Sequence, residues 1–352
     1  MARAHARLTN RPGDRDRNAS DAVLLALPPL PEGCDVLVVD DALGEVEDEL
    51  QRRGHTVHLW RRMARRGVEA VAWPEVPPCS AAVVRLPKGK DAFAFSLDAV
   101  ASVLTPGAPV FVYGANDEGI RPAGKRMKPL LTDVETLDTR RHCRVIQGTR
   151  SESPEGLKGS IAAHRRVEVV DVDGESFDYV VYPGVFAKGE LDPGSAALLR
   201  TISELPDDAR VLDFASGAGI LSMVLAKRHP KATFQLIDAD AVAVVAAREN
   251  VPGALVLTGD SWGRLPSYRR YDAIVSNPPI HTGKGRDYSV LTRLVEGAQA
   301  RLLPKGALWL VVQRQVPVQA MLDESFDDVS IAWQDTRFRV WRCGRLADRF
   351  EL

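Results

Sequence analysis

Short apolar runs alternate with amphipathic stretches along most of the chain, and this alternation predicts its fold. The runs are four to six residues long and rich in valine, leucine and isoleucine, which is typical of buried strands. They cover residues 36–39, 56–60, 81–84 and 109–113 in the first half, and 210–213, 233–237, 254–257, 271–275 and 307–312 in the second. Several of the intervening stretches place apolar residues on one helical face, as Leu97, Val100 and Leu104 do. The pattern predicts an α/β protein with doubly wound, mostly parallel sheets.

The two halves share local features that favour an internal duplication. Leu86–Lys90 follows a predicted strand in the first half as Asn277–Lys284 does in the second, and Leu104–Ala108 corresponds to Leu303–Ala307. The alternative is that any two α/β domains look alike at this level of detail. We favour duplication because both matches occur in the same order relative to the strands.

Domain boundaries follow from composition and turn signals. The N-terminal residues are rich in arginine but carry Asp14 and Asp16 and have no apolar core, which argues against a secretory signal and favours a disordered tail. Around Asp173 and Gly174 two strand-like stretches predict a hairpin. We therefore predict a disordered tail over 1–18, an N-terminal domain over 19–150, a linker with the start of the hairpin over 151–176, and a C-terminal domain over 177–352.

Composition excludes some classes of protein. The chain has 352 residues with a formal net charge of −1, so it is not a globally basic nucleic-acid binder, although it has local basic clusters. No apolar run approaches the roughly 18 residues that a membrane span needs. The four cysteines are scattered without C-x-x-C spacing, which predicts reduced thiols, no zinc site and a cytoplasmic location.

Asn277-Pro278-Pro279 directly follows the apolar run 271–275 and is the first candidate for chemistry. Prolines cannot continue a strand ladder, and their fixed φ angles make the segment stiff. The Asn277 side-chain oxygen and the Pro278 carbonyl can accept hydrogen bonds. Such a pair of acceptors at the carboxyl end of a parallel strand is suited to hold an amino group on a planar ring. The alternative is an ordinary loop-starting segment.

A glycine turn in the second half predicts a nucleoside cofactor. Gly217 and Gly219 follow the strand that ends at Asp213, and a helix comes next. A dinucleotide fingerprint would have a third glycine where Leu221 stands, so NAD is disfavoured. Asp238 and Asp260 end the next two strands, and could bind ribose hydroxyls and an adenine amino group. Each aspartate alone is more often a cap or turn residue, but the ordered set indicates an S-adenosylmethionine pocket in which Asp213 faces the ammonium group.

Several segments carry a resemblance to a known family. They are Gly114–Ile120, Tyr182–Phe186, Leu191–Ser195 and Asn277–His281. From about residue 20 the chain resembles the bacterial ribosomal RNA guanine-N2 methyltransferases that act on 16S and 23S rRNA, and residues 177–345 resemble the methyltransferase small domain. The resemblance implies two tandem Rossmann-like class I methyltransferase domains, of which the N-terminal copy is degenerate and binds no cofactor.

The resemblance also implies the activity and the residues that carry it. We expect methyl transfer from S-adenosylmethionine to the N2 amine of a guanine, with 16S rRNA favoured over 23S rRNA. We assign catalysis to Asn277, Pro278 and Pro279. Substrate binding is assigned to Ile280, His281, Lys284, Arg121 and Lys125. Cofactor binding is assigned to Asp213, Ala215, Gly217, Gly219, Asp238, Ala239, Asp260, Ser261, Asn277 and Phe186.

Two departures from the family pattern and several alternatives remain. Ala215 and Ser216 stand where the family usually has Gly and Cys, and Ile280 stands where an aromatic residue is expected to stack on the target base. A methyltransferase for adenine N6 or a glutamine side chain would use the same acceptors. A non-catalytic RNA-binding protein with this fold is the alternative from another class. We further expect ribosomal RNA or a ribosomal subunit as partner, no metal and no membrane, and a monomer.

Overall fold

The computed structural model describes residues 12–65, 68–187, 189–203, 205–280 and 287–344. The chain divides into two compact units. Of the described residues, the first unit contains 12–61 and 73–164, and the second contains 62–72, 165–280 and 287–344.

The first unit is an α/β sheet with helices. Its helices are α1 (Pro12–Ala26), α2 (Glu45–Arg52), α3 (Lys90–Val103) and α4 (Ala123–Met127), and its strands are β1 (Asp35–Val39), β2 (Thr56–Trp60), β3 (Ala81–Arg85), β4 (Pro109–Ala115), β5 (Leu131–Arg140) and β6 (Cys143–Arg150). The strand order is β2-β1-β3-β4-β6-β5. The first four strands are parallel, and β6 and β5 are added antiparallel.

The second unit begins with a hairpin and continues as a larger sheet. The hairpin pairs β7 (Arg166–Val172) with β8 (Glu175–Val181). The helices are α5 (Pro193–Thr201), α6 (Ile220–Arg228), α7 (Ala241–Asn250), α8 (Ser289–Ala298) and α9 (Gln319–Ser325), and the sheet strands are β9 (Arg210–Phe214), β10 (Thr233–Asp238), β11 (Leu255–Thr258), β12 (Tyr271–Ser276), β13 (Leu302–Gln313), β14 (Asp328–Gln334) and β15 (Phe338–Gly344). The sheet order is β11-β10-β9-β12-β13-β15-β14; pairing is parallel from β11 to β13, and β15 pairs antiparallel with both β13 and β14.

The two sheets share one strand order, which supports the predicted duplication. The series β2-β1-β3-β4-β6-β5 corresponds strand by strand to β10-β9-β12-β13-β15-β14, and β11 is an addition at the edge of the second sheet. In this correspondence β3 matches β12, so Leu86-Pro87 and Asn277-Pro278 directly follow equivalent strands. The predicted α/β class with doubly wound, mostly parallel sheets is confirmed.

The core of the second unit fixes the strand that precedes Asn277. Ala273, Ile274 and Val275 of β12 are fully buried, because parallel strands carry helices on both faces. The apolar face of α8 packs in the same core as Ile274, through Leu291, Leu294, Val295 and Ala298. The central strand is therefore held rigidly on both sides. Among the described residues, no helix combines the length and apolar character needed to cross a membrane.

The structure differs from the predicted domain organisation in three places. Residues 12–18 belong to the helix Pro12–Ala26, not to a disordered tail; residues 1–11 lie outside the described part of the chain. The boundary at 176 cannot divide the hairpin, because β7 pairs with β8 along its whole length and both belong to the second unit. Residues 62–72 also belong to the second unit, although they lie between β2 and β3 in the sequence.

The strands β5 and β6 were not predicted. β5 has the sequence LTDVETLDTR, and most of its residues are exposed because the strand lies at the edge of the sheet. Without a buried face it lacks the apolar run by which the other strands were found. Pro304, Lys305 and Gly306 lie within β13, which pairs with β12 through an irregular register.

Candidate active site

The parallel strands of the second unit bring their carboxyl ends to one edge of the sheet, where the loops carry the predicted cofactor residues. Ala215, Gly217 and Gly219 have positive φ angles of 59°, 54° and 85°. A Cβ on Gly219 would lie 3.1 Å from the side chains of Leu236 and Val251, so conformation and packing both require glycine there. Nothing lies within 4 Å of a Cβ built on Gly217, so its backbone faces open space.

Asp213 is a buried carboxylate with one unused oxygen. It lies near the carboxyl end of β9 with 0% of its surface exposed. Its Oδ2 accepts a hydrogen bond from Ser222 Oγ at 2.8 Å, whereas Oδ1 has no partner among the described residues. Burial raises the pKa of Asp213 to about 7, opposed by the Ser222 hydrogen bond and assisted by the charge of Asp238. Because buried polar atoms are nearly always paired, this unpaired oxygen is a candidate acceptor for a cationic donor from a ligand.

Asp238 ends β10 and holds the glycine loop. Its Oδ2 accepts a hydrogen bond from the Gly217 backbone N–H at 2.7 Å, and its Oδ1 accepts one from the Asp240 N–H at 2.8 Å. Burial raises the pKa of Asp238 to about 6, and the charge of Asp240 contributes. Each carboxylate oxygen has a further lone pair, so Asp238 can also accept hydrogen bonds from two hydroxyl groups. Ala239 follows it in the same loop.

The loop after β11 carries Asp260 and Ser261 beside an aromatic residue that sequence reasoning missed. Trp262 donates a hydrogen bond from Nε1 to the Arg293 carbonyl at 2.6 Å, and its ring centroid lies 5.0 Å from that of Phe214. Arg293 in turn donates from Nε to the Asp260 carbonyl at 3.2 Å. These contacts fix the loop against α8 and β9. The sequence signal that could have identified Trp262 is its position, two residues after Asp260, the acidic residue that was predicted to end a strand.

Asn277 is held by two residues of the segment that begins α5. Its Nδ2 donates hydrogen bonds to Asp192 Oδ2 at 2.7 Å and to Ser195 Oγ at 3.1 Å. Both N–H groups of the Asn277 amide are therefore engaged, and Oδ1 is the atom that is available to accept a hydrogen bond. Asp192 also caps α5 by accepting from the backbone N–H groups of Gly194 and Ser195. A Cβ on Gly194 would lie 2.9 Å from Asp192 Oδ2 and 3.3 Å from Asn277 Nδ2, so glycine is needed for this approach.

Asp192 and Ser195 were singled out only as part of a family segment, with no role. The signal that was available is the Asp-Pro-Gly-Ser sequence, which is typical of a helix start with proline at its first position. Its contact with Asn277 joins residues 85 positions apart, which no local pattern could indicate.

The remaining predicted site residues have different surroundings. Pro278 is buried and Pro279 is exposed, while Ile280 is half-buried and packs against the core of the second unit. Phe186 is 61% exposed. His281 and Lys284 lie outside the described residues. Arg121 and Lys125 are exposed near α4, in the first unit, so the structure does not place them in the same unit as Asn277.

The features of this edge fit the cofactor that the resemblance implies. The unpaired Asp213 Oδ1 can accept from an ammonium group, and the open space at Gly217 admits a ligand close to the backbone. The described residues contain no group of three or more His, Cys, Asp or Glu side chains arranged to hold a metal ion.

Comparison with known proteins places the chain in a family. The model for "Methyltransferase small domain N-terminal" matches residues 32–160, and that for "Methyltransferase small domain" matches residues 177–342. The ribosomal RNA small subunit methyltransferase C of Pseudomonas syringae pv. syringae is 33% identical over 337 residues, covering 92% of this chain and 98% of the relative. The chain belongs to the ribosomal RNA small subunit methyltransferase C family. A relative of the same name from Yersinia enterocolitica is 33% identical over 316 residues, covering 86% of this chain and 88% of the relative.

Membership of the methyltransferase C family agrees with the fold of a solved relative. The structure of the T. thermophilus 16S rRNA N2 G1207 methyltransferase (RsmC), in complex with AdoMet and guanosine, has a TM-score of 0.82 and 24% identity, and covers 97% of this chain and 94% of that chain. At this identity the likeness shows a common fold over both units. The predicted resemblance to bacterial ribosomal RNA methyltransferases is confirmed.

The first unit has different residues where the second unit has its candidate site. At the end of β3, which corresponds to β12, Arg85 donates from Nη2 to Asp16 Oδ1 at 2.9 Å and to Glu118 Oε2 at 2.7 Å. After β1, which corresponds to β9, Asp41 accepts from the Val46 backbone N–H at 2.9 Å at the start of α2. Arg85 and Asp41 are therefore engaged with residues of the first unit itself, and the absence of a cofactor there stays a prediction.

Proposed function

We propose that this chain is an S-adenosylmethionine-dependent methyltransferase that methylates the exocyclic N2 amine of a guanine in 16S ribosomal RNA. The observation that carries the proposal is the fixed orientation of Asn277, whose amide donates both N–H groups to Asp192 and Ser195. Its oxygen is thereby available as an acceptor beside the Pro278 carbonyl. The family supports 16S rRNA, because its members are named as small-subunit methyltransferases. Guanine N2 is supported by the name of the solved T. thermophilus relative, a 16S rRNA N2 G1207 methyltransferase.

Asn277 Oδ1 and the Pro278 carbonyl accept the two N–H bonds of the guanine amine. The lone pair of that amine is delocalised into the ring, so the amine is a weak nucleophile. Two acceptors in fixed positions turn the lone pair towards the methyl donor and stabilise the positive charge that develops on nitrogen. Neither acceptor is a base, so they act through alignment and electrostatics. As the nitrogen–methyl bond forms, the sulfur–methyl bond would break to leave S-adenosylhomocysteine, and the methylated amine would release one proton to solvent. Pro279 contributes stiffness to the same segment.

The cofactor residues lie along the adjoining strand ends. S-adenosylmethionine supplies an electrophilic methyl group on its sulfonium centre. Asp213 Oδ1 accepts from the ammonium group of the cofactor, Asp238 accepts from the ribose hydroxyls, and Asp260 accepts from the adenine amine. The loop backbone at Ala215, Gly217 and Gly219 approaches the cofactor closely, with Ala239, Ser261 and Phe186 as further contacts.

The substrate base has to leave a stacked helix to reach Asn277, which costs a few kcal/mol unless it is already unpaired. Ile280 supplies an apolar contact to the base where an aromatic ring was expected. His281 and Lys284 follow it and complete the base-binding segment. Arg121 and Lys125 of the first unit contact RNA phosphates. We further propose that the enzyme acts as a monomer in the cytoplasm, where ribosomal RNA is its substrate.

Transfer of labelled methyl groups tests this function directly. The purified full chain is incubated with labelled S-adenosylmethionine and, separately, small ribosomal subunits, free 16S rRNA and free 23S rRNA. We expect label in 16S rRNA, either free or within the subunit, as N2-methylguanosine at one position. An Asn277→Ala variant should lower turnover roughly 10²-fold at unchanged affinity for S-adenosylhomocysteine.

Each other outcome contradicts the proposal in a distinct way. Label in adenine N6 or in a protein glutamine would assign the acceptor pair to another planar amine. Label in 23S rRNA alone would overturn the substrate. Tight binding of RNA and S-adenosylhomocysteine without any transfer would make the chain a binding protein.

A further inference from the structure

A segment of the N-terminal half packs onto the cofactor edge of the second unit. Residues 62–72 lie between β2 and β3 in the sequence, yet belong to the second unit. The Ala64 N–H donates to the Ala239 carbonyl at 2.7 Å, and the Ala241 N–H donates to the Arg62 carbonyl at 3.0 Å. The start of the segment therefore pairs, in the antiparallel sense, with the loop that follows Asp238.

Arg62 is the side chain that fixes this pairing. Its guanidinium makes a two-pronged ion pair with Asp240, Nε to Oδ1 at 2.8 Å and Nη2 to Oδ2 at 2.6 Å. Nη1 donates to the Pro183 carbonyl at 3.1 Å. The Arg62 side chain is 5% exposed and that of Asp240 is 13% exposed. A buried arginine costs desolvation unless its donors are paired in good geometry, and here each of the three nitrogens has an acceptor.

Asp240 connects Arg62 to Asp238, the carboxylate that is predicted to bind the ribose hydroxyls of the cofactor. The Asp240 backbone N–H donates to Asp238 Oδ1 at 2.8 Å, and Asp240 Oδ1 caps α7 by accepting from the Val242 N–H at 2.9 Å. Asp238 Oδ2 in turn accepts from the Gly217 N–H at 2.7 Å. The position of Asp238, and with it part of the glycine loop, therefore depends on a residue that is held by Arg62.

We propose that Arg62 is a positioning residue for cofactor binding, which acts by clamping Asp240 and so orienting the Asp238 carboxylate towards the ribose hydroxyls. The inference rests on the proposed function, in which Asp238 binds the cofactor. It also means that the cofactor site is not made by residues 177–352 alone, because an arginine from the other half of the sequence completes its support.

Arg62 has an electrostatic effect in addition to its geometric one. Two other acidic groups interact electrostatically with Asp238, namely Asp213 from β9 and Asp240 from its own loop, and Arg62 is a cation that interacts with it as well. Burial raises the pKa of Asp238 to about 6 and Asp240 adds to the rise, whereas Arg62 opposes it. Removing Arg62 raises this pKa further, so the carboxylate that accepts from the ribose becomes protonated at a higher pH.

Titration of the full chain with S-adenosylhomocysteine between pH 5.5 and 8.5 tests the proposal. We expect Arg62→Met to weaken binding at pH 7.5 by roughly tenfold or more, as for loss of a charge-assisted hydrogen bond. The pH below which affinity is lost should rise by about one unit. Arg62→Lys retains the charge without the two-pronged geometry. It should therefore restore the pH at which affinity is half lost (the pH midpoint) more fully than it restores the affinity itself. It is also the variant to use if Arg62→Met does not fold.

Two further variants separate the possible outcomes. Arg61→Met is the matched control, because Arg61 pairs with Glu47 at 3.1 Å in the first unit, and its affinity and pH midpoint should equal those of the parent. If Asp238→Asn binds S-adenosylhomocysteine normally, the proposed cofactor site itself is wrong. If Asp238→Asn loses binding while the Arg62 variants keep the parent affinity and pH midpoint, only the positioning role is overturned. A lowered melting temperature with unchanged affinity would make Arg62 merely structural.

Discussion

Replacing Asn277 with aspartate tests whether the two ends of its amide have separate tasks. Nδ2 lies 2.7 Å from Asp192 Oδ2, so an aspartate would place a carboxylate oxygen where the structure has a donor. An oxygen acceptor for the substrate amine would remain in Asn277→Asp. The variant would nevertheless lose its anchor, because two carboxylates in contact repel each other.

The size of this repulsion follows from the separation of the two charge centres, which is larger than the separation of the nearest atoms. Two unit charges about 4 Å apart repel by about 4 kcal/mol at an effective dielectric constant of about 20. One pKa unit corresponds to about 1.4 kcal/mol, so one of the two carboxyl groups would titrate roughly three units above its ordinary value, near pH 7. Above that pH both groups are charged, the side chain at 277 turns away, and we expect turnover to fall roughly 10²-fold. Below it a shared proton restores the contact and part of the activity.

The assay is methyl transfer to 16S rRNA at saturating S-adenosylmethionine, measured from pH 6 to pH 8.5. The ratio of variant to parent turnover is taken at each pH, so that effects common to both cancel. Asn277→Ala is the control, because it should be slow at every pH. In the double variant Asn277→Asp with Asp192→Asn the like charge is gone, so activity at pH 8 should recover in part.

The reasoning would be refuted by either of two results. Parent-like turnover of Asn277→Asp at pH 8 would mean that Asp192 does not orient the residue. A turnover ratio that is low and independent of pH, with no recovery in the double variant, would mean that repulsion from Asp192 is not the cause of the loss.

Three further predictions concern conformation, pH and RNA binding. Gly219→Ala puts a Cβ 3.1 Å from Leu236 and Val251 at a φ of 85°, so we expect the free energy of unfolding in urea to fall by about 1–3 kcal/mol; an unchanged value would show that the loop adapts. Burial raises the pKa of Asp213 to about 7, so the folded chain binds more protons than the unfolded chain below that pH and loses stability as the pH rises towards 7. Asp213→Asn should therefore melt higher than the parent by a margin that grows from pH 5 to pH 7.5, while binding S-adenosylhomocysteine more weakly at pH 8; a margin independent of pH would contradict the assignment. Neutralising four exposed cations near α4 should weaken 16S rRNA binding and leave the affinity for S-adenosylhomocysteine unchanged. The slope of the logarithm of the RNA-binding constant against the logarithm of the salt concentration should fall by roughly one for each phosphate that the protein no longer binds. Filter binding across a salt series measures this, and an unchanged slope would make the cluster ordinary surface; its members are Arg121, Lys125, Arg126 and Lys128.

Much of the fold could be predicted because its signals are local. A parallel strand covered on both faces has to be a short apolar run, so β12 and its neighbours are visible in the sequence. A helix on the sheet has to be apolar on one face, as α8 is. Asp213, Asp238 and Asn277 could be found because each ends such a run or directly follows it, and parallel strands bring these ends to one edge. The exposed edge strand β5 has no comparable signal.

What the tertiary structure decided is which residues support the predicted ones. Asp192 reaches Asn277 across 85 positions in sequence, and Arg62 reaches Asp240 across 178. Periodicity reports which face of an element is buried, but carries no information on which loop meets which in space. The orientation of the Asn277 amide and the clamp on Asp240 depend on how distant segments close around the strand ends. The sequence by itself therefore determined the parallel strands and the candidate site residues that follow them, and only the folded chain decided how those residues are held in place.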